Sequence, residues 1–425
     1  MSDLQYLTRM FRTYYQKEGK NIPKVDSFGS REFAFIHWEK GHMMIRHISF
    51  NNVENFQEYL VMNNPKHVYS SASLYETPDY NQMEDKGYIG CDFVIDIDVD
   101  HFYTPCKEEH DTWSCQECQK TGMGMAPDKC PDCGSTKFDT LNWICQDCLE
   151  SAKNEINKLI YDFLLPDFNI QTNDIQISFS GHRGYHLRIS NEKVRALSSD
   201  ARREIVDYLT GSNISFELLG LKQKSSSIFG LSEENVGWSR KIVVKIKDIL
   251  TSYDDPELTK LLQSFGFHQK TIESFIHSKN DYLHVLNDPN LFSWSVEGFG
   301  LKRWKRFLAG VTDLVSAEID KPVSIDIHRL IRYPGTLHGK TGFKVQSLPL
   351  NKLASFQPLD EPNNELDPIV FYGEENRLKV KILKNFVPKT KIKNQTFGPF
   401  NKDEKVELPN HMAILLVCKG AATFL

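Results

Sequence analysis

No stretch of this sequence is apolar for long enough to span a bilayer. The longest run near the C-terminus, Met412 to Cys418, falls far short of the roughly 20 residues a spanning helix needs. The opening segment, MSDLQYLTRMFRTYYQ, mixes charged and apolar residues and has no secretory apolar core, so an intracellular, cytoplasmic protein is expected. A surplus of positive charge is missing too. With 51 Lys and Arg against 56 Asp and Glu, the net charge is −5, so the molecule is not a polycation. Any grip on nucleic acid must be local, and an acidic site must be offset by a metal. There is no internal repeat and no long low-complexity tract. Motifs far apart in the chain must therefore be brought together by folding.

What is present fits a globular protein: 425 residues, 40% hydrophobic and 25% charged, long enough for two or three packed units. Nine cysteines stand out. Seven lie between Cys106 and Cys148, and three pairs have CxxC spacing. In an intracellular chain such crowding points to zinc, with free thiols or an iron–sulfur cluster as the alternatives.

The first twenty residues carry a helical repeat of Leu4, Leu7, Met10, Phe11 and Tyr14. SREFAFIHWEKGHMMIRHISF alternates around Gly41 and predicts a hairpin, and Tyr88 to Asp100 predicts one strand. A helix is expected from Leu149 to Leu165, then a strand, turn and strand from Ile175 to Ile189. Residues 195–316 read as mainly helical, with breaks at Gly211, Asp254–Pro256 and Asp288–Pro289. Strand-like sequence returns from Ile319 to Leu348, followed by a Pro-, Asn- and acid-rich loop at Gln357–Pro368.

The sharpest chemical signal is CDFVIDIDVD. On a strand, Asp96, Asp98 and Asp100 share one face, and Phe93, Ile95, Ile97 and Val99 the other. Carboxylates so close repel unless cations lie between them, and Mg²⁺ or Mn²⁺ takes oxygen ligands while leaving positions for phosphate. The second signal is FSGHRGYHLRI, where Ser180, His182, Arg183 and His186 are donors around Gly181 and Gly184, a composition suited to a triphosphate. The third, AEIDKPVSIDIHRLIRYPGTLHGKTG, supplies Asp320 and Asp326, then Arg329, Arg332, His338 and Lys340 around a Pro-Gly turn. Metals on one side and phosphates on the other require such a set. Two basic runs, LKRWKRF and RLKVKILKNFVPKTKIK, are further candidates for phosphate contact.

SREFAF, YIGCDFVIDIDVDHF, SFSGHRGYHLRI and RLIRYPGTLHGKTG occur in the order seen in archaeal and eukaryotic primase small subunits, and the chain resembles that family from about residue 28 to 350. The last motif has an archaeal form, and LPNHMAILLVCKGAA is a weaker echo. The resemblance implies an α+β fold: a primase-type catalytic core with a mixed β-sheet flanked by helices, an inserted zinc-binding module and a helical subdomain. The expected order is 1–105 for the first part of the core and 106–148 for the zinc module. The core resumes over 149–194, the helical subdomain spans 195–316, and 317–425 complete the core and tail.

The resemblance also implies roles. Asp96, Asp98 and Asp320 form the metal triad, Asp320 being preferred over Asp326 for its spacing from His338. Ser180, Arg183, His186, His338 and Lys340 hold the incoming nucleotide's phosphates. Arg332 is basic in the family, Glu32 and Arg46 line the same cleft, and His182 stands where eukaryotic members carry arginine. Cys106, His110, Cys145 and Cys148 match the family's zinc site, leaving Cys115, Cys118, Cys130 and Cys133 as an inserted ribbon. Spacing alone cannot prove this pairing, because eleven residues separate both successive CxxC pairs.

The implied function is template-directed synthesis of short RNA or mixed RNA/DNA primers on single-stranded DNA. The implied partner is a large subunit carrying an iron–sulfur cluster. The alternatives are a stand-alone primase-polymerase or repair polymerase with the same core, and a non-catalytic zinc-ribbon DNA-binding subunit.

Overall fold

The computed structural model describes residues 2–41, 43–287, 293–362, 364–373 and 376–425; the break expected at Asp288–Pro289 lies outside them. The chain divides into two units. Met1–Asn157, Gln171–Arg203 and Ile319–Leu425 form one, Lys158–Ile170 and Glu204–Glu318 the other. Lys158–Ile170, which the sequence assigns to the core, thus belongs to the helical unit. No helix of the described residues is long and apolar enough to cross a membrane.

The first unit is built on strands β1 (Phe33–Ile36), β2 (Met44–Ile48), β3 (His67–Ser71), β4 (Phe93–Asp98), β5 (Ile175–Phe179), β6 (Gly184–Ile189), β7 (Leu330–Arg332) and β8 (Gln346–Leu348). They make two four-stranded sheets, ordered β7-β3-β1-β2 and β8-β5-β6-β4. The architecture is α+β, but the expected mixed sheet is absent, since every ladder in both sheets is antiparallel. β1–β2 and β5–β6 are hairpins, and the longer links contain no βαβ crossover that would set neighbouring strands parallel.

Aromatic burial fixes the first sheet. The helix Val53–Asn63 starts on Asn52, whose side chain accepts the Asn55 N–H, and ends on Asn64 in the left-handed conformation. Its buried Phe56 and Leu60 lie four residues apart on one face. Phe56 meets Phe33 with ring centroids 5.1 Å apart and Phe50 at 5.3 Å. Each such burial contributes about 1.5–3 kcal/mol. In the second sheet, Leu149, Ala152 and Ile156 of the helix Gln146–Lys158 are fully buried.

Two expectations about strands change. Tyr88 to Asp100 is not one strand: Tyr88–Cys91 and β4 are separated by Asp92, and a 3₁₀ turn, Val99–His101, follows. The buried Asp92 carboxylate is held by Arg31 (2.7 Å), Arg195 (2.7 Å) and Arg188 (3.2 Å), which breaks the strand between Cys91 and Phe93. Ile319 to Leu348 is strand only in β7 and β8. Lys321–Ile325 is instead a short helix with Pro322 in its first turn, where the missing N–H costs nothing.

The cysteine segment adds a three-stranded sheet of Thr121–Met123, Thr112–Cys115 and Phe138–Leu141. In the tail, Arg377–Ile382 pairs with Lys405–Pro409 and Ala422–Phe424.

The second unit is mainly helical. Trp238–Ser252 buries Ile242, Val243, Ile246 and Ile249, and Leu301–Val315 buries Trp304, Phe307, Leu308 and Val311. An aspartate-led capping box at Asp254 and Glu257 makes the break expected there. A small hairpin, Lys222–Lys224 with Ser227–Phe229, was not anticipated. Three of the four basic residues of LKRWKRF are engaged within this unit: Arg306 donates to the Gly266 carbonyl at 2.9 Å, Arg303 to that of Gly298, and Lys305 pairs with Glu217.

Candidate active site

Alternation along β4 sends Phe93, Ile95 and Ile97 to one face and Val94, Asp96 and Asp98 to the other. Val94 packs with Ala72, Cys91, Val323 and Ile331. This apolar cluster seats the short helix Lys321–Ile325 against the strand. Asp320 precedes that helix, and its N–H donates to the Asp96 carbonyl at 3.0 Å. The three proposed acids thus meet although more than 200 residues separate Asp98 from Asp320. Asp100 is not on their strand face. It sits in the 3₁₀ turn, and its N–H donates to Asp98 Oδ1 at 2.9 Å.

The β4–β6 register sets Gly184 opposite Asp98 and His186 opposite Asp96, with His186 Nε2 3.6 Å from Asp96 Oδ1. Glycine is required at 184, where a Cβ would lie 2.1 Å from the Ile97 carbonyl oxygen. Gly181 has φ +78°, and a Cβ there would meet His338. Close approach of these backbones brings the β5–β6 turn against the β7–β8 segment. The His182 and His338 rings stack 5.2 Å apart at 7°, and Thr341 Oγ1 donates to the Gly181 carbonyl at 2.6 Å.

The result is a cleft of about 460 Å³, within the usual size of a small-ligand site. Asp96, Asp98, Ser180, His182, His186, Arg46, Arg332, His338 and Lys340 line it, as expected from the sequence. Glu32 does not. It is fully buried behind Arg46, which it holds by Arg46 Nε to Oε1 at 2.9 Å, with Lys86 on its other oxygen at 3.1 Å. Arg183 also leaves the cleft. Its buried guanidinium turns to Asp111 (2.9 Å) and Asp100 (3.2 Å). Asp320 borders the acids without lining the cleft wall, whereas Asp326 lines it and accepts the His328 N–H at 2.8 Å. Arg329, named with the third motif, lines it as well, and so do Tyr69 and His328, to which the sequence reading assigned no role. Arg332 lies over the Tyr69 ring at 5.2 Å and meets His67 Nδ1 at 2.8 Å.

Burial, with the charges of Asp98 and Asp320 adding, pushes the Asp96 carboxyl up to about 7. Burial and then Asp100 raise Asp98 as well. Acids so disfavoured in ionised form fit divalent cations held between them. Around the same cleft burial, helped by the charge of Arg332, brings His186 down to about 3 and keeps His338 neutral. His186 and His338 are therefore neutral imidazoles at physiological pH. The fixed positive charge comes from Arg46, Arg329, Arg332 and Lys340.

The cysteines gather in two sets of four. Cys106, His110, Cys145 and Cys148 bring their ligand atoms within 4.8 Å of one another, as do Cys115, Cys118, Cys130 and Cys133. The Cys106–Cys148 sulfurs are 3.4 Å apart, and the Cys115–Cys133 and Cys118–Cys130 pairs 3.5 Å. Tetrahedral zinc with thiolates at about 2.3 Å spaces its sulfurs by about 3.8 Å, so both sets fit closed zinc sites.

Acids and cationic side chains around one cleft make an arrangement that could hold a metal-bound polyphosphate. A sequence profile for the DNA primase small subunit matches residues 128–348. The chain is 30% identical to the DNA primase small subunit PriS of Methanosarcina barkeri, over 99% of this chain and 96% of that protein. It is 29% identical to the PriS of Methanocella arvoryzae (99% and 98%) and 26% to that of Nitrosopumilus maritimus (99% and 99%). The chain belongs to the DNA primase small subunit family.

Proposed function

We propose that this chain is the catalytic subunit of a DNA primase, a nucleotidyltransferase that makes short primers on single-stranded DNA in the cytoplasm. One observation carries the reading: Asp96, Asp98 and Asp320 meet beside a cleft that also presents Ser180, His186, Arg332, His338 and Lys340. Held by the three acids, Mg²⁺ or Mn²⁺ would lower the pKa of the attacking 3′-hydroxyl and neutralise charge developing at the α-phosphorus. Lys340 and Arg332 supply fixed charge to the β- and γ-phosphates, and Ser180 and the neutral His338 donate hydrogen bonds to their oxygens. Arg46, anchored by Glu32, closes the side formed by the first sheet. No side chain is needed as nucleophile. The two cysteine clusters hold structural zinc.

The partner in this reading is a large subunit carrying an iron–sulfur cluster. Starting a primer needs a second triphosphate held 5′ to the first, and the described residues contain no second cluster comparable to Ser180–His186 with Arg332–Lys340. The test is synthesis on single-stranded DNA with labelled ribo- or deoxynucleotides, by the chain alone and by the reconstituted pair at matched salt. The chain alone should extend primers, and efficient initiation should need the pair. Equal initiation rates would remove the dependence and favour a stand-alone primase-polymerase. No nucleotide addition in any arm would leave a non-catalytic DNA-binding subunit.

A further inference from the structure

The turn between β5 and β6 has two sides. Ser180 and His182 face the cleft, while the buried Arg183 points behind it to Asp111 and to Asp100, a half-buried acid that itself lines the cleft. Arg183 Nη1 lies 3.1 Å from Asp111 Oδ1, 2.9 Å from Asp111 Oδ2 and 3.2 Å from Asp100 Oδ1. Asp111 in turn pairs with His110 Nδ1 at 2.8 Å and accepts the Trp143 N–H at 2.8 Å, both on Oδ1. His110 offers Nε2 to the cluster with Cys145 and Cys148. One unbroken path therefore runs from the first cysteine cluster through His110, Asp111 and Arg183 to Asp100. Asp100 is the residue whose N–H holds Asp98 Oδ1.

A second path runs parallel to it. Lys419 Nζ donates to the Asn142 carbonyl at 2.6 Å and lies 2.7 Å from His182 Nε2. Asn142 directly precedes the Trp143 whose N–H binds Asp111. The Lys419 contact at Nε2 holds the His182 ring where it stacks on His338.

We propose that Asp111, Arg183 and Lys419 are positioning residues through which the His110 zinc cluster sets the geometry of the acid turn and of His182. The zinc site then acts on nucleotide chemistry as well as on folding, and Arg183 serves it from behind rather than by touching phosphate. This rests on the cleft being the nucleotidyl-transfer site.

The bonds suggest a selective cut. In Asp111→Asn the retained Oδ1 still accepts from His110 and Trp143, while the ionic contact of Oδ2 with Arg183 is lost. The full-length protein is compared with Asp111→Asn, Arg183→Lys, the double variant, Lys419→Met and Asp96→Ala. The measurements are zinc content by chelator release, unfolding temperature, Mn²⁺ binding by titration calorimetry, and kcat and nucleotide KM on a primed template.

Asp111→Asn should keep its zinc, bind Mn²⁺ about tenfold more weakly and lose a similar factor in kcat, the usual scale for outer-shell partners. The double variant should be no worse than the weaker single one, because both cut the same path. Unchanged Mn²⁺ affinity and kcat in zinc-loaded Asp111→Asn would overturn the bridge, as would multiplying losses in the double variant. Should Asp111→Asn shed zinc or melt early, Lys419→Met carries the test. It should raise nucleotide KM about tenfold with zinc content unchanged, again on the outer-shell scale, and Lys419→Arg should restore it. An unaltered KM would overturn the proposal. Asp96→Ala separates the two levels: activity retained there removes the cleft reading itself, whereas an inactive Asp96→Ala beside a normal Asp111→Asn removes only the bridge.

Discussion

Replacing Asp92 by asparagine should cost the sheet-bearing unit several degrees of thermal stability and loosen the cleft with it. Asp92 immediately precedes β4, and Arg31 lies just before β1, so their 2.7 Å ion pair pins the start of one sheet to the start of the other. Both side chains are fully buried. Arg188 and Arg195 complete the set, and burial with the Arg31 charge lowers Arg188 to about 10. The Asp92→Asn side chain leaves two buried guanidiniums without a counter-charge, a change worth about 3–5 kcal/mol. With an unfolding entropy of about 2.1 cal/mol/K per residue over roughly 300 residues, that is a drop of about 5–8 °C.

The pH dependence supplies a second check. Burial alone would raise the Asp92 pKa, but Arg31, Arg188 and Arg195 outweigh it and hold the carboxyl below its ordinary value. The stability it contributes is complete above the unfolded carboxylate value of about 4 and is lost as the pH falls through the depressed folded value. Calorimetric melts of wild type and variant should differ most at neutral pH and converge in acid. A shift under about 1 °C at pH 7, against the several degrees expected from a broken buried pair, would refute the reasoning. So would a gap that stays constant into acid.

Further outcomes test the site. Asp96→Ala and Asp98→Ala should abolish nucleotide addition in Mg²⁺ and Mn²⁺ while leaving the far-UV spectrum intact, and Asp320→Ala should match them with Asp326→Ala milder; the reverse order would make Asp326 the third acid. His338→Ala and Lys340→Ala should weaken nucleotide binding by about ten- to a hundredfold, the scale of a charged hydrogen bond at roughly 1.5–3 kcal/mol, read by direct titration. Because burial and its acidic neighbours raise the Asp96 pKa to about 7, the metal-free protein should lose stability as pH rises from about 4 to 7. Mn²⁺ should then raise the unfolding temperature more at pH 8 than at pH 5, and Asp96→Asn should flatten that difference. Metal analysis should find two zinc ions per chain; one would mean that the ribbon set or the His110 set is empty.

Local strings made much of this legible. Period-two alternation in FVIDID declared the acids' shared face, and Ser180 to His186 and His338 to Lys340 showed their donors within a few residues. The cysteine spacings marked the candidate zinc segment, although only folding groups its members into sets. What alternation could not show was where the strand stops: Asp92 and Asp100 continue the pattern in sequence, yet distant arginines claim both. Arg183 was misplaced for the same reason, because its partner Asp111 is 72 residues away and carries no motif of its own. Lys419 lies further still from His182, at 237 residues. Glu32 looked like a cleft residue because Arg46 is one, and only burial distinguishes the residue that touches the cleft from the residue that holds it. The mixed sheet failed as an expectation because strand direction depends on the links between strands, which residue patterns do not encode.

Both main sheets receive an outer strand from the same late stretch of chain, β7 beside β3 and β8 beside β5. A nascent polypeptide that has emerged only as far as the helical unit therefore carries two unsealed sheet edges, a recognised invitation to intermolecular pairing. The same stretch is preceded by Asp320, so completing the proposed metal triad and sealing the sheets fall within about thirty residues of synthesis. Loss of the proposed nucleotidyl transfer activity and loss of solubility should therefore appear together in any series of C-terminal truncations that stops before Leu348.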